Sequence, residues 1–382
     1  MVNNSKNKLD KIKKIAIVIN NSWYAYHFRL NLAIDLKNNG YKVIFIAPYD
    51  IKYSELIKER FKFYDIKVDS KGINPISDFR TMISLYKLYT NIRPDIVLNF
   101  TIKPNIYSSI IAGILKIKSI SNITGLGTIF INQSIVTKIA KLLYKVALDF
   151  NNKVFFQNND DRSLFIENRL VMRNKTDLLP GSGVDLNKFI PIQKDLKNKK
   201  IIFLLIARLL KDKGILEYIE AIKIIKNKYS NVEFQILGSI GVENKTAITK
   251  DELQIWINSD LVNYLGTTDN VQDVISKVDC VVLPSYREGT PRSLLEACAM
   301  EKPIITTDVV GCKEVVDDGI NGYLCEVRNS KDLADKMEMI LNLSDDERII
   351  MGQAGRDKIV KEFDEKIVIN KYLNSIKEIL KQ

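Results

Sequence analysis

With 382 residues, 46% of them hydrophobic, the chain is long enough for two domains with cores of their own. No run reaches the roughly 18–20 uncharged apolar residues of a membrane-spanning helix. The net charge of +11 is confined to one half: residues 1–190 hold 29 Lys+Arg against 15 Asp+Glu, and residues 191–382 hold 28 against 31.

The polar start, MVNNSKNKLDKIKK, leads into only five apolar residues, too few for a signal-peptide core, so a cytoplasmic protein is expected. Short β-branched runs follow at Ile15–Ile19, Val43–Ala47, Asp95–Asn99, Ser119–Ile123 and Lys153–Gln157, with amphipathic stretches between them. The first exit, NNSWYAYHFR, lacks the GxGxxG turn of a dinucleotide-binding fold and holds the only histidine, His27. Residues 135–150, IVTKIAKLLYKVALDF, read as a helix. Val136, Ile139, Ala140, Leu143, Ala147 and Phe150 fall on one face, with Lys138, Lys141 and Lys145 opposite. Asp160 and Asp161, after the last run, are expected to cap a helix.

The segment 189–199, FIPIQKDLKNK, is polar and without periodicity. It separates a domain at 1–190 from one at 199–363, with the helical tail 364–382 expected to pack back on the first. The second domain repeats the pattern at Ile201–Ile206, Val232–Leu237, Cys280–Pro284 and Pro303–Thr307. Alternating strands and helices predict an α/β protein with two doubly wound parallel sheets facing one cleft. Cys280, Cys298, Cys312 and Cys325 form no CxxC pair, and with one histidine no zinc site is expected.

The exit of Cys280–Pro284 reads SYREGTPRSLLEACAM. Thr290 suits an N-cap and Pro291 the first helical position. The amides of Arg292, Ser293 and Leu294 would then form an anion site at a helix N-terminus. Glu288 stands before it, and Glu296 leans back toward it. A sugar nucleotide fits this pattern, its diphosphate on the amides and a carboxylate each for ribose and sugar hydroxyls. An ordinary helix with acidic flanks fits the spacing too. After Ile201–Ile206, Arg208 and Lys213 bracket a turn and could clamp a diphosphate from the other side.

These stretches, with GSGVDLNKF, YLGTTDNV, PIITTDVVGCKEVV and DGINGYL, resemble the GT-B-fold retaining glycosyltransferases of family 4 over nearly the whole chain. YHFR at 26–29 and NITGLGTIF at 122–130 are similar to the N-acetylgalactosaminyltransferases that extend polyprenyl-diphosphate-linked oligosaccharides in bacteria. The resemblance implies a UDP-sugar donor and a lipid-diphosphate acceptor in surface-polymer synthesis. It implies Glu296 on the ribose, Glu288 on the donor sugar and Arg208 and Lys213 on the diphosphate. Gly289, Thr290, Pro291, Arg292 and Ser293 would lie close to the donor, with Gly266 and Val271 at the base. The acceptor side would draw on His27, Arg29, Thr101, Lys103, Asn105, Gly125 and Gly127. The family's glycine-rich first loop is absent here.

With no Asp-x-Asp in the chain, no metal and no cofactor are expected, and the cations carry the charge. The basic first half is expected to hold the enzyme on the inner, anionic face of the cell membrane through helix 135–150. A sugar-nucleotide epimerase of the same fold is the alternative. A nucleic-acid-binding protein is a further one that no module signature supports, so no nucleic acid partner is expected.

Overall fold

Strands buried on both faces carry unbroken apolar runs, and the chain has two series of them. The computed structural model describes residues 12–68, 74–125, 135–192, 200–241, 244 and 246–381. Strands β1 (Lys14–Val18), β2 (Lys42–Ala47), β3 (Lys62–Asp65), β4 (Ile96–Phe100), β5 (Lys118–Ile123), β6 (Lys153–Phe156) and β7 (Thr176–Leu178) form the first sheet, ordered β3-β2-β1-β4-β5-β6-β7. Strands β8 (Ile201–Ile206), β9 (Val232–Leu237), β10 (Asn263–Tyr264), β11 (Cys280–Leu283), β12 (Ile304–Thr307) and β13 (Gly322–Cys325) form the second, ordered β10-β9-β8-β11-β12-β13. Every strand pair is parallel. Each order reverses beside its first strand, between β1 and β4 and between β8 and β11, so each sheet has a crevice at its carboxyl edge there. Strands β3, β7, β10 and β13 were not legible as β-branched runs, being short (KFYD, TDL, NY) or opened by glycine (GYLC).

The helices are α1 (Ser22–Asn38), α2 (Ile51–Lys58), α3 (Pro75–Ile92), α4 (Ser109–Ile114), α5 (Ile135–Asp149), α6 (Asn159–Glu167), α7 (Ile215–Lys226), α8 (Lys250–Asn258), α9 (Val271–Ser276), α10 (Arg292–Ala299), α11 (Ser330–Asn342), α12 (Asp345–Glu362) and α13 (Glu365–Lys381). Val368, Ile369, Tyr372, Leu373 and Ile376 of α13 pack into the first sheet's core beside Ile15, Ile17 and Phe155. The Asn122 side chain of β5 donates to the Tyr372 hydroxyl at 2.9 Å. Leu179 belongs to the first domain's core, whereas Val184 and Phe189 pack in the second's. The hand-over therefore lies ahead of the polar segment 189–199.

Helix α5 is turned relative to the sequence expectation. Tyr144, Ala147 and Leu148 are buried, while Ile139 and Phe150 are exposed together with Leu142 and Val146. Lys138 and Lys145 share that outer face, and half-buried Lys141 donates to Asn168 Oδ1 at 2.9 Å. The side chain of Val136 lies outside the described residues.

Candidate active site

The exits of β8 and β11, neighbours at the second sheet's reversal, lie against one another. A single 3₁₀ turn, Lys211–Lys213, follows β8 and ends on Gly214 at a φ of 71°. A Cβ there would fall 2.0 Å from the Pro284 carbonyl oxygen, so only glycine lets the two exits approach this closely. The Asp212 carbonyl accepts from the Tyr286 amide at 2.9 Å and from Ser285 Oγ at 3.1 Å. This stitching brings Lys213 Nζ onto Glu288 Oε1 as a largely buried ion pair.

The start of α10 differs from the sequence expectation. Pro291 is itself the cap residue, with φ −73° and ψ 111°, and Thr290 gives its hydroxyl to the Gln157 carbonyl at 3.4 Å. The Leu294 amide goes to the Pro291 carbonyl at 3.1 Å. The expected anion site thus shrinks from three amides to two, those of Arg292 and Ser293, which have no acceptor among the described residues.

Arg292, Ser293 and Glu296 line a cavity of about 670 Å³ between the domains. Arg292 Nε donates to Glu296 Oε1 at 2.8 Å. Burial pushes the Glu296 carboxyl up from its usual range, and Arg292 pulls it part of the way back. Arg208 lines the same cavity without an ion pair among the described residues. Val271 lines it as well, beside Gly238, Thr267 and Thr268. Gly266 stands behind them, its carbonyl accepting from the Gly238 amide at 2.8 Å.

The far wall comes from the first domain: Trp23, Tyr24, His27, Phe28 and Tyr53. Tyr24 and Phe28 stack with ring centroids 5.4 Å apart, and the Arg292 guanidinium lies 4.5 Å over the Phe28 ring. Sequence reasoning missed this wall, although the aromatic run WYAYHF directly after a strand exit was its signal. Asp269 crosses from the second domain to pair with Lys52 and to accept from the Tyr53 hydroxyl at 2.7 Å.

Residues 187–358 match the family described as Glycosyl transferases group 1, and residues 14–158 the family described as Glycosyl transferase 4-like. The chain is a GT-B-fold glycosyltransferase. It is 29% identical to the N,N'-diacetylbacillosaminyl-diphospho-undecaprenol alpha-1,3-N-acetylgalactosaminyltransferase of Campylobacter jejuni, covering 93% of this chain and 96% of that one. It is 27% identical to the UDP-Gal:alpha-D-GlcNAc-diphosphoundecaprenol alpha-1,3-galactosyltransferase of Escherichia coli, covering 90% of each. The crystal structure of Anabaena Alr3699/HepE in complex with UDP and glucose superposes with a TM-score of 0.79 at 15% identity, covering 96% of this chain and 100% of that one.

Several glycosyltransferase residues expected to reach an acceptor are engaged otherwise. His27 lies in the cavity with Arg208 and Glu296, its Nε2 3.3 Å from Asp269 Oδ1. Burial, aided by Lys188 and Arg292 and opposed by Asp269, lowers its pKa to about 4. At neutral pH it is uncharged and offers a phosphate no charge. Arg29 is buried, lies 4.2 Å over the Phe100 ring and donates to Ser182 Oγ at 3.1 Å. Burial lowers its pKa to about 10, so it stays a cation. Lys103 is held by Asp78 at 2.7 Å. Asp161 does not cap α6: Asn158 does, accepting from the Asp161 amide at 2.7 Å, and the Asp161 carboxylate pairs with Arg287.

Gly289 faces the first domain, not the cavity. A Cβ on it would meet the Thr124 carbonyl oxygen at 2.3 Å, and Gly125 stands against its amide. Thr101, at the exit of β4, holds a φ of 71°, a conformation that costs a β-branched residue about 1–3 kcal/mol. Its hydroxyl is buried without a partner among the described residues, as are Asn105 Oδ1, Asn122 Oδ1 and Arg29 Nε. Gly127 lies outside the described residues.

Proposed function

We propose that this glycosyltransferase moves a hexose or N-acetylhexosamine, GalNAc in the first place, from a UDP-sugar to a polyprenyl-diphosphate-linked saccharide, with retention of anomeric configuration. The observation that carries this reading is one inter-domain cavity lined by Arg208, by Arg292 and Ser293, whose amides have no acceptor among the described residues, and by Glu296, with the Lys213–Glu288 pair on the loops that lead to it. The diphosphate takes the cations and amides, Glu296 accepts from the ribose, and Glu288 accepts from the sugar. The acceptor hydroxyl attacks the anomeric carbon from the leaving-group side. As the bond from that carbon to the phosphate oxygen breaks, a donor phosphate oxygen takes the hydroxyl proton and UDP departs. Among the described residues Thr101, Asn105, Asn122 and Arg29 each keep a buried polar atom without a partner, and a polar acceptor could be read there. The two relatives' names, each pairing a sugar with a diphosphoundecaprenol acceptor, support the acceptor class.

The test is incubation with a panel of UDP-sugars and synthetic polyprenyl-diphosphate sugars, with analysis of all products. Transfer of GalNAc with retained configuration supports the reading. Free epimerised sugar nucleotide, or no transfer from any UDP-sugar, would overturn it. Arg208 and Lys213 would carry the positive charge that a metal ion supplies elsewhere, so activity should survive EDTA. A strict need for Mn²⁺ or Mg²⁺ would contradict the cationic clamp.

The enzyme works at a membrane surface in this reading. Among the described residues no helix is long and apolar enough to cross a membrane. The outer face of α5 instead joins Ile139, Leu142, Val146 and Phe150 to Lys138 and Lys145, and α3, in the same layer, exposes Ile76, Phe79, Ile83 and Tyr86. Apolar side chains between lysines suit an anionic leaflet. Each lysine there contributes about 1 kcal/mol, so Lys138→Glu/Lys145→Glu should weaken binding to anionic liposomes by roughly tenfold or more. UDP binding should not change. Equal sedimentation of variant and wild type with the liposomes would remove α5 as the anchor.

A further inference from the structure

The loop carrying Glu288 belongs to the second domain, yet much of what holds it belongs to the first. Asp161 of α6 is fully buried, and its carboxylate pairs with the guanidinium of Arg287, the residue just before Glu288. Buried Asn158 donates from Nδ2 to Asp161 Oδ2 at 3.1 Å and reaches the Gly289 carbonyl at 3.4 Å. Thr290 reaches the Gln157 carbonyl at 3.4 Å. From its own domain the loop has its start tied to Asp212 and Glu217 through Ser285 and Tyr286, the Glu288 amide on the Val310 carbonyl at 3.1 Å and the Lys213–Glu288 pair, so from Arg287 to Thr290 the side-chain anchors are split between the domains. Neighbouring side chains thus go to different domains: Arg287 crosses to the first, and Glu288 stays with Lys213 in the second. Fixing one fixes the turn that aims the other. A carboxylate as buried as Asp161 is costly without its counter-ion, so the pair favours one closed geometry.

We propose that Asp161, Asn158 and Arg287 are positioning residues that couple closure of the two domains to the placement of Glu288 against the donor sugar. The inference rests on the reading of Glu288 as the sugar contact. When the domains part, Arg287 loses Asp161 and Gly289 loses its seat, and the loop keeps only its own-domain contacts. When they close, the first domain, which carries the acceptor side, completes the site in the second. Sugar transfer is thereby tied to the presence of both substrates, and attack by water in the open state is suppressed.

Asp161→Asn keeps the shape of the side chain and removes its charge, and Arg287→Gln shortens and neutralises its half-buried partner. In either full-length variant kcat should fall roughly 10²-fold, the scale of a reacting group held about 1 Å out of place. UDP affinity should stay within about threefold of wild type, which separates positioning from lost ground-state binding. The double variant Asp161→Asn/Arg287→Gln should be no slower than the weaker single variant, as a direct pair coupling requires, and losses that multiply would overturn the coupling. Wild-type kcat in either single variant would overturn the proposal, and so would UDP affinity falling in step with kcat. If Asp161→Asn does not fold, Arg287→Gln decides by the same criteria. Small-angle scattering separates this result from the functional reading. If the wild type transfers no sugar, that reading fails, while loss of UDP-induced compaction in Arg287→Gln still supports the coupling and unchanged compaction overturns it.

Discussion

Arg208→Ala/Lys213→Ala should lower the transfer rate by at least about 10³-fold, since one electrostatic stabiliser of a developing charge is worth roughly 10²–10³. The two single variants should not be equal. Arg208 lines the cavity without an ion pair among the described residues, so its loss removes charge from the proposed diphosphate site and little else. Lys213 also balances Glu288, a largely buried carboxylate. Its removal leaves that charge uncompensated beside a leaving group that is itself anionic, which adds repulsion to the lost attraction. Lys213→Ala should therefore be the slower and the less stable of the two. Adding Glu288→Gln to Lys213→Ala should recover melting temperature without recovering rate, because the proposed sugar contact goes as well. Initial rates at saturating donor and acceptor, with thermal melts alongside, check each step. A double variant within tenfold of wild type would show that the diphosphate is stabilised elsewhere.

The sequence made some of this site legible and hid the rest for identifiable reasons. Runs such as IIFLLI in β8 and CVVL in β11 are apolar throughout because both faces are covered, and the residues just past them are forced into the crevice. That logic made Arg208, Lys213, Glu288 and Glu296 candidates and left an ordinary helix with acidic flanks open; their roles came from the family resemblance. The cap of α10 was misread because a φ of −73° suits proline at the cap as well as at the first helical position. What decides is Thr290, recruited by Gln157 of the other domain, which no local pattern encodes. The Asp161–Arg287 pair spans 126 positions and both domains, so Asp161 read as a local cap. Helix α5 was turned because Leu142, Leu143, Tyr144, Val146 and Leu148 leave apolar residues around most of its circumference. That arc is wider than the face the core covers, so periodicity finds the arc and the neighbours decide which part of it is buried. The charge state of His27 was not legible in the sequence, since its burial depends on Trp23 at 4.6 Å and Tyr53 at 5.3 Å.

Gly289→Ala should abolish most turnover while leaving each domain folded. The methyl group would fall 2.3 Å from the Thr124 carbonyl oxygen and 2.6 Å from Gln157 Oε1, both in the first domain. The Gln157 side chain can swing aside. The Thr124 backbone, at the end of a buried parallel strand, cannot move without disturbing its register with β4 and β6. The residue has no left-handed φ to lose, so the substitution adds no backbone strain inside the second domain. The three nearest contacts of that methyl group all lie across the domain boundary. The melting temperature should therefore change little, and UDP should still bind to Glu296 and the amides of α10. The domains would stop short of contact by about 1 Å, and a gap of that size at the reacting centre costs roughly 10²-fold or more in kcat. Thermal melts, UDP titration and initial rates measured on the same preparation separate the three quantities. Should Gly289→Ala turn over as the wild type does, the contact of Gly289 with Thr124 does not belong to the state in which the sugar moves.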